Sequence, residues 1–209
     1  GSEISRQAVE AVSQLTDKLF LINPERADWA ENFSRVLIDD YYGGVLAARH
    51  FLSRRITSTA VLMQDAPLFE LRCRGFQDTL RSAAPEAEVR LLPLPDGSYE
   101  AGYRFSADHS EMLRQYRGLF VIPDVSAFGV MNALQDAGVT VPDDLSVIGY
   151  DDVEGCLYCR PALSTVHQPR SKAAELAAEY METAVLGHED VRRSYILKPS
   201  FVARESCGS

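Results

Sequence analysis

Leu145–Asp152 reads LSVIGYDD, an apolar stretch that runs straight into two adjacent carboxylates. Its first part is apolar without alternation, the pattern of a strand buried on both faces, as in a parallel sheet covered by helices on each side. The same continuous pattern recurs in LFLIN (19–23), TAVLMQ (59–64) and GLFVI (118–122). Helical stretches separate these runs. DYYGGVLAARHFLSRR follows RVLID (35–39), and DVSAFGVMNALQDAG opens on Asp124 and stops at Gly138. After Pro169, residues Ala173, Leu176, Ala177, Tyr180, Met181, Ala184 and Val185 keep helical spacing up to a stop at Gly187. Strand and helix alternate almost throughout, so the fold class is α/β, with parallel sheets and helices on both faces. A seam between two sheets is expected near residues 82–87.

The totals narrow the function. The chain has 209 residues, 46% of them hydrophobic and 24% charged, with a formal net charge of -9. That balance argues against this segment being the surface that grips DNA or an anionic membrane. No apolar run approaches the roughly 18 residues of a membrane span, and the first residues lack a basic stretch followed by an apolar one. The four cysteines, Cys73, Cys156, Cys159 and Cys207, are too sparse for a disulfide scaffold and suit reduced thiols in the cytoplasm. Cys156 and Cys159 form a CxxC. The RPALST that follows reads as extended chain, not as the helix a redox pair opens, and His167 is the only ligand candidate nearby for zinc. A loop pair is the favoured reading, and no metal or cofactor is expected.

Ligands of open parallel sheets bind beyond the carboxyl ends of the strands. Those ends carry Asn23, Asp39–Asp40, Gln64–Asp65, Asp124 and Asp151–Asp152. Such a set suits an uncharged polyhydroxyl ligand or one with a cationic group. For Asp39, Asp40 and Asp124 a helix cap is the favoured reading, since a capping aspartate stabilises a helix by about 1 kcal/mol. Asp151 differs, because no periodic helix follows it before Pro161. Enzyme templates are absent: there is no P-loop, GxGxxG, GxSxG or HExxH. His50, His109 and His188 read as solvent-exposed, and His167 as a packing residue. An α/β enzyme using Asp124 and Asp151 lacks a nucleophile or a metal set, so no catalysis is expected.

VPDDLSVIGYDD (141–152), RPALSTVHQP (160–169) and LKPSFVARES (197–206), in this order and spacing, resemble the effector-binding core of the lactose-repressor (LacI/GalR) family of bacterial transcription regulators. LIDDYYGGVLAARHFL (37–52), LRCRGFQDTL (71–80) and SYEAGY (98–103) support the likeness. It covers nearly the whole chain and is more specific in the C-terminal half. The resemblance implies a periplasmic-binding-protein-like (type I) pair of subdomains. The expected division is residues 1–84, part of the N-terminal subdomain, and 85–209, the C-terminal subdomain with its last segment crossing back. It also implies a homodimer, a small sugar-like effector, and operator DNA read by an N-terminal head outside this chain. By position, Arg72 matches the arginine that grips the effector, Asp151 the acid that accepts from its hydroxyls, and Gln168 a glutamine lining the cleft. Asn23 stands where an aspartate often contacts the ligand. Two departures stand out. Pro123–Asp124 replaces an Asn-Asp, and Gly97 replaces an aromatic that stacks on sugars; Phe69 or Tyr99 are the residues placed to compensate. The site expected from the resemblance is Asn23, Phe69, Arg72, Asp124, Asp151 and Gln168. A solute-binding protein of a sugar transporter shares the fold and is the alternative.

Overall fold

The computed structural model describes residues 6–24, 28–186 and 192–208; His188 and the expected helix stop Gly187 lie outside them. In chain order the first half holds α1 (Arg6–Ser13), β1 (Phe20–Ile22), β2 (Ser34–Ile38), α2 (Asp40–Ser53), β3 (Ser58–Gln64), α3 (Pro67–Ala83) and β4 (Glu88–Leu94). The second half holds α4 (Tyr99–Asp108), α5 (Ser110–Leu113), β5 (Gly118–Ile122), α6 (Asp124–Asp136), β6 (Ser146–Asp151), β7 (Ser164–His167), α7 (Arg170–Val185), β8 (Ser194–Leu197) and β9 (Ser200–Val202). Contacts divide the chain into two units, residues 1–39 with 169–198, and residues 40–168 with 199–209.

The first unit has a three-stranded parallel sheet in the order β1-β2-β8. Helix α7 buries Ala173 and Tyr180, and the Tyr180 ring lies 5.1 Å from that of Phe20 on β1. Its small core joins Val9, Leu21 and Ala30. The apolar stripe expected after Pro169 is only partly used, since Met181 on α7 is exposed; Val12 on α1 and Leu15 just after it are exposed too.

The second unit has a six-stranded sheet in the order β4-β3-β5-β6-β7-β9, parallel except for β9, which runs antiparallel to β7. Its central strands β3, β5 and β6 are buried on both faces, as their continuous apolar runs require, whereas the edge strand β4 is largely exposed. Ala60, Leu62, Leu119, Val121 and Val147 face a core built with α6 residues Ala127, Val130 and Leu134. Val61, Phe120, Ile122, Ile148 and Tyr150 face the opposite core, with Ala47 and Phe51 of α2 and Phe76 and Leu80 of α3. Each fully buried Phe or Leu contributes about 1.5–3 kcal/mol by leaving water. Helix α6 stops as its glycine suggests. Gly138 has φ 72, its N–H donates to the Gln135 carbonyl, and the Val139 N–H donates to Leu134, the pattern of a Schellman end.

The seam expected near 82–87 is corrected by this sheet. Strands β3 and β4, on either side of that stretch, are direct parallel neighbours from Ser58↔Glu88 to Gln64↔Leu94. The turn is an ordinary crossover within one sheet, and the units divide instead near 39/40, 168/169 and 198/199. The sheet turns outward in both directions from β3, toward β4 and toward β5. A reversal of this kind is where open α/β sheets leave a crevice beyond their strand ends.

Candidate functional site

Two helices bring the first pair of site residues together. Asp40 is the first residue of α2, and Arg72 lies near the start of α3. The helices cross at their glycines: a Cβ on Gly44 would collide with the Arg72 carbonyl, and one on Gly75 with the Tyr41 carbonyl. That close approach lets Arg72 Nε donate to Asp40 Oδ1 at 2.8 Å. Both side chains are buried, at 4% and 6% exposure. Tyr150 of β6 completes the cluster. Its hydroxyl donates to the same Asp40 oxygen at 2.9 Å, and its ring centroid lies 4.0 Å from the Arg72 guanidinium carbon. Phe69 lies on the guanidinium too, at 5.2 Å. Gly43 leaves room for the Tyr150 ring, which an added Cβ would strike.

The electrostatics follow from burial. Loss of water works against the Arg72 cation, but Tyr150, Asp40 and Asp151 outweigh it and hold its pKa above the ordinary value. Burial also pushes the Tyr150 phenol well up, so that its hydroxyl stays a neutral donor.

The end of β6 answers why a buried strand should run into two carboxylates. Asp151 and Asp152 both have positive φ, 126° and 58°. Non-glycine residues seldom adopt such a backbone, which costs about 1–3 kcal/mol and persists where the surroundings fix it. Here Asp152 does the fixing. Its Oδ1 accepts from Arg204 Nη2 at 2.7 Å, and its Oδ2 lies 3.0 Å from His167 Nδ1. Arg204 also reaches the Leu163 carbonyl, so the tail segment VARES ties down the strand end. His167, expected only to pack, is a partner of this lock. Asp151 is turned the other way, and its Oδ1 accepts from the Gln168 side-chain amide.

The six expected site residues therefore separate. Arg72 and Phe69 share one cluster, Asp151 and Gln168 form a pair, and Asp151 acts electrostatically on Arg72. Asp124 is corrected to a structural role: it is wholly buried, with Oδ1 accepting from the Thr165 hydroxyl at 2.7 Å and Oδ2 from the Val153 amide and the Cys156 thiol. Burial raises its pKa against the pull of those donors. It is also the first helical residue of α6, behind the N-cap Pro123. Asn23 belongs to the first unit, where its Oδ1 accepts from the Ile38 amide and its own φ is positive. Tyr99, expected to compensate for Gly97, accepts from Asn132 on α6 and stacks on Tyr103. Sequence reasoning missed Asp40 as the partner of Arg72 and Tyr150 as the ring beneath it. The signal was the GG that follows Asp40 and the glycine three residues after Arg72, which together announce a close helix crossing.

The CxxC belongs to the Asp124 knot: Cys156 donates to that acid and Cys159 to the Cys156 carbonyl. Burial raises both thiols, and lifts Cys73 to about 12. Among the described residues no group of three or more His, Cys, Asp or Glu could hold a metal, and no helix is long and apolar enough to cross a membrane.

A mostly parallel sheet with a polar cluster at its strand ends is the construction of a periplasmic-binding-protein-like sensor, and residues 48–207 match the periplasmic binding protein-like domain family. A LacI family transcriptional regulator from Enterococcus faecalis V583, solved with bound ribose, is 31% identical, with a TM-score of 0.80 over 100% of this chain and 75% of its own. Another from Enterococcus faecium, also with bound ribose, is 27% identical, with a TM-score of 0.85 over 98% of this chain and 76% of its own. The HTH-type transcriptional repressor PurR of Vibrio atlanticus (strain LGP32) is 28% identical over 94% of this chain and 60% of its own length. The chain belongs to the LacI family of transcriptional regulators and carries that family's periplasmic-binding-protein-like core. It spans about 60% of the length of the curated relatives it matches, which are named transcriptional repressors.

Proposed function

We propose that this chain is the effector-sensing core of a cytoplasmic DNA-binding regulator, and that its effector is a small sugar-like molecule held at the strand ends of the second unit. The observation that carries this reading is the pairing of a buried, aromatic-flanked Arg72 with an Asp151–Gln168 pair set at a strained strand end. Arginine donors and a carboxylate acceptor are the complement of ligand hydroxyls, which donate and accept. The ribose in both Enterococcus relatives supports a pentose-sized ligand. Operator DNA is contacted by a head outside this chain, in keeping with its net charge of -9. The regulator works as a homodimer; the exposed Leu157 and Tyr158 of the second unit suit such a contact, and Tyr158→Asp is expected to weaken self-association in sedimentation.

A thermal-shift screen of pentoses, hexoses, polyols and nucleosides tests the effector. A ligand at 100 times its dissociation constant adds about 2.7 kcal/mol of stability. The expected result is a sugar hit that disappears in Asp151→Ala. A hit that survives this change places the ligand elsewhere and sinks the reading of the site.

A further inference from the structure

We propose that Asp40 is a specificity-determining residue of this site: it holds the Arg72 guanidinium in a buried ion pair, so that the site takes an uncharged polyhydroxyl ligand and rejects its phosphorylated or carboxylate counterpart. The proposal rests on the reading of the strand-end cluster as the effector site. Arg72 is the group there best suited to grip an anion, since its planar fork matches phosphate and carboxylate. It is already engaged, with Nε on Asp40 at 2.8 Å and aromatic rings at 4.0 and 5.2 Å. Asp40 is itself pinned by the Tyr150 hydroxyl at 2.9 Å. Asp151 adds its negative charge to the field at the same guanidinium, so one cation is balanced against two carboxylates. An entering anion meets a surplus of like charge in a poorly hydrated place, which is strongly unfavourable. A hydroxyl both donates and accepts, and so binds beside the pair without breaking it.

Thermal denaturation of the chain in inorganic phosphate, against chloride at matched ionic strength, reads the charge of the site without knowledge of the effector. The variants are Asp40→Asn, Asp40→Ser, and each of these combined with Arg72→Gln. Phosphate is expected to leave the parent Tm where chloride leaves it. With phosphate about tenfold above its dissociation constant, the Asp40 variants rise by roughly 3–6 °C, and Arg72→Gln abolishes that rise. Equal protection of parent and variants overturns the proposal, as does a folded Asp40 variant that ignores phosphate. If neither variant folds, the parent decides: protection by phosphate overturns the proposal and indifference supports it. A sugar screen without hits counts against the effector reading alone and leaves the phosphate comparison standing.

Discussion

Two helices of the second unit open on a buried aspartate, and the two acids are held by opposite means. Asp40 opens α2 and Asp124 opens α6. The scaffolds around them match. Helices α2 and α3 cross at Gly44 and Gly75, and α4 and α6 cross at Gly102 and Gly129, where an added Cβ would in each case strike a carbonyl of the facing helix. Each crossing is also bridged by a tyrosine hydroxyl on an aspartate, Tyr41 to Asp78 at 3.2 Å and Tyr103 to Asp136 at 2.7 Å. The partners of the buried acids differ. Asp40 faces a guanidinium and a phenol, whereas Asp124 accepts from a hydroxyl, a backbone amide and a thiol. Neutral donors satisfy an acid without giving it a counter-charge, and so fasten a loop. A cation beside the acid makes a pair whose charge state a ligand must answer.

The largest effect expected from this contrast is on stability. Asp40→Ala leaves Arg72 buried and unpaired, a change that costs about 3–5 kcal/mol. Asp124→Ala removes an acceptor from neutral donors, one of them a weak thiol, and costs about 1–3 kcal/mol. Denaturant unfolding of both variants measures the gap, and equal losses would erase the distinction between the two acids. The next effect is a pH dependence. Burial raises the Asp124 pKa above its ordinary 3.8. The folded state therefore holds that proton more tightly than the unfolded one. Between 3.8 and the raised folded value, stability falls as pH rises, and above that value the cost is fully present. Asp124→Asn removes this contribution. The parent is expected to gain stability relative to Asp124→Asn as pH is lowered from neutral toward about 4. A difference that stays constant across that range removes the charge penalty assigned to Asp124.

Much of the second unit was legible because its central strands β3, β5 and β6 carry continuous apolar runs, which two covered faces explain. GLFVI is a strand over its full expected length. The subdomain seam was not legible, because the stretch near 82–87 reads as a break between two sheets while the actual divisions fall near 39/40, 168/169 and 198/199, the first of them inside an unbroken strand-to-helix turn. Composition marks a loop; it does not say which strand lies beside which. At the candidate site, only the resemblance singled out Arg72, since a helical arginine looks alike in many proteins, whereas Asp151 was already set apart by the lack of a helix after it. Asp124 looked equally available. Its burial comes from Thr165 and Cys156, both distant in sequence, and no local pattern announces them. Asp40 and Tyr150 stand 110 residues apart, and only Gly43, which leaves room for the Tyr150 ring, hinted at their meeting.

A single-hydroxyl change sharpens the comparison most. Tyr150→Phe keeps the ring that lies 4.0 Å from the Arg72 guanidinium and removes only the hydroxyl on Asp40. A hydrogen bond to a charged carboxylate contributes about 1.5–3 kcal/mol, so the parent should lose roughly 2–4 °C in Tm per kcal/mol. If the hydroxyl acts through Asp40, the loss vanishes when Tyr150→Phe is made in an Asp40→Ala background, and the two changes couple by about the same energy. Introduced beside Asp124→Ala instead, Tyr150→Phe should cost what it costs in the parent, because the two acids share no donor. Additivity with Asp40→Ala and coupling with Asp124→Ala would reverse the assignment, and would make Tyr150 a member of the loop-fastening knot and not of the charged pair.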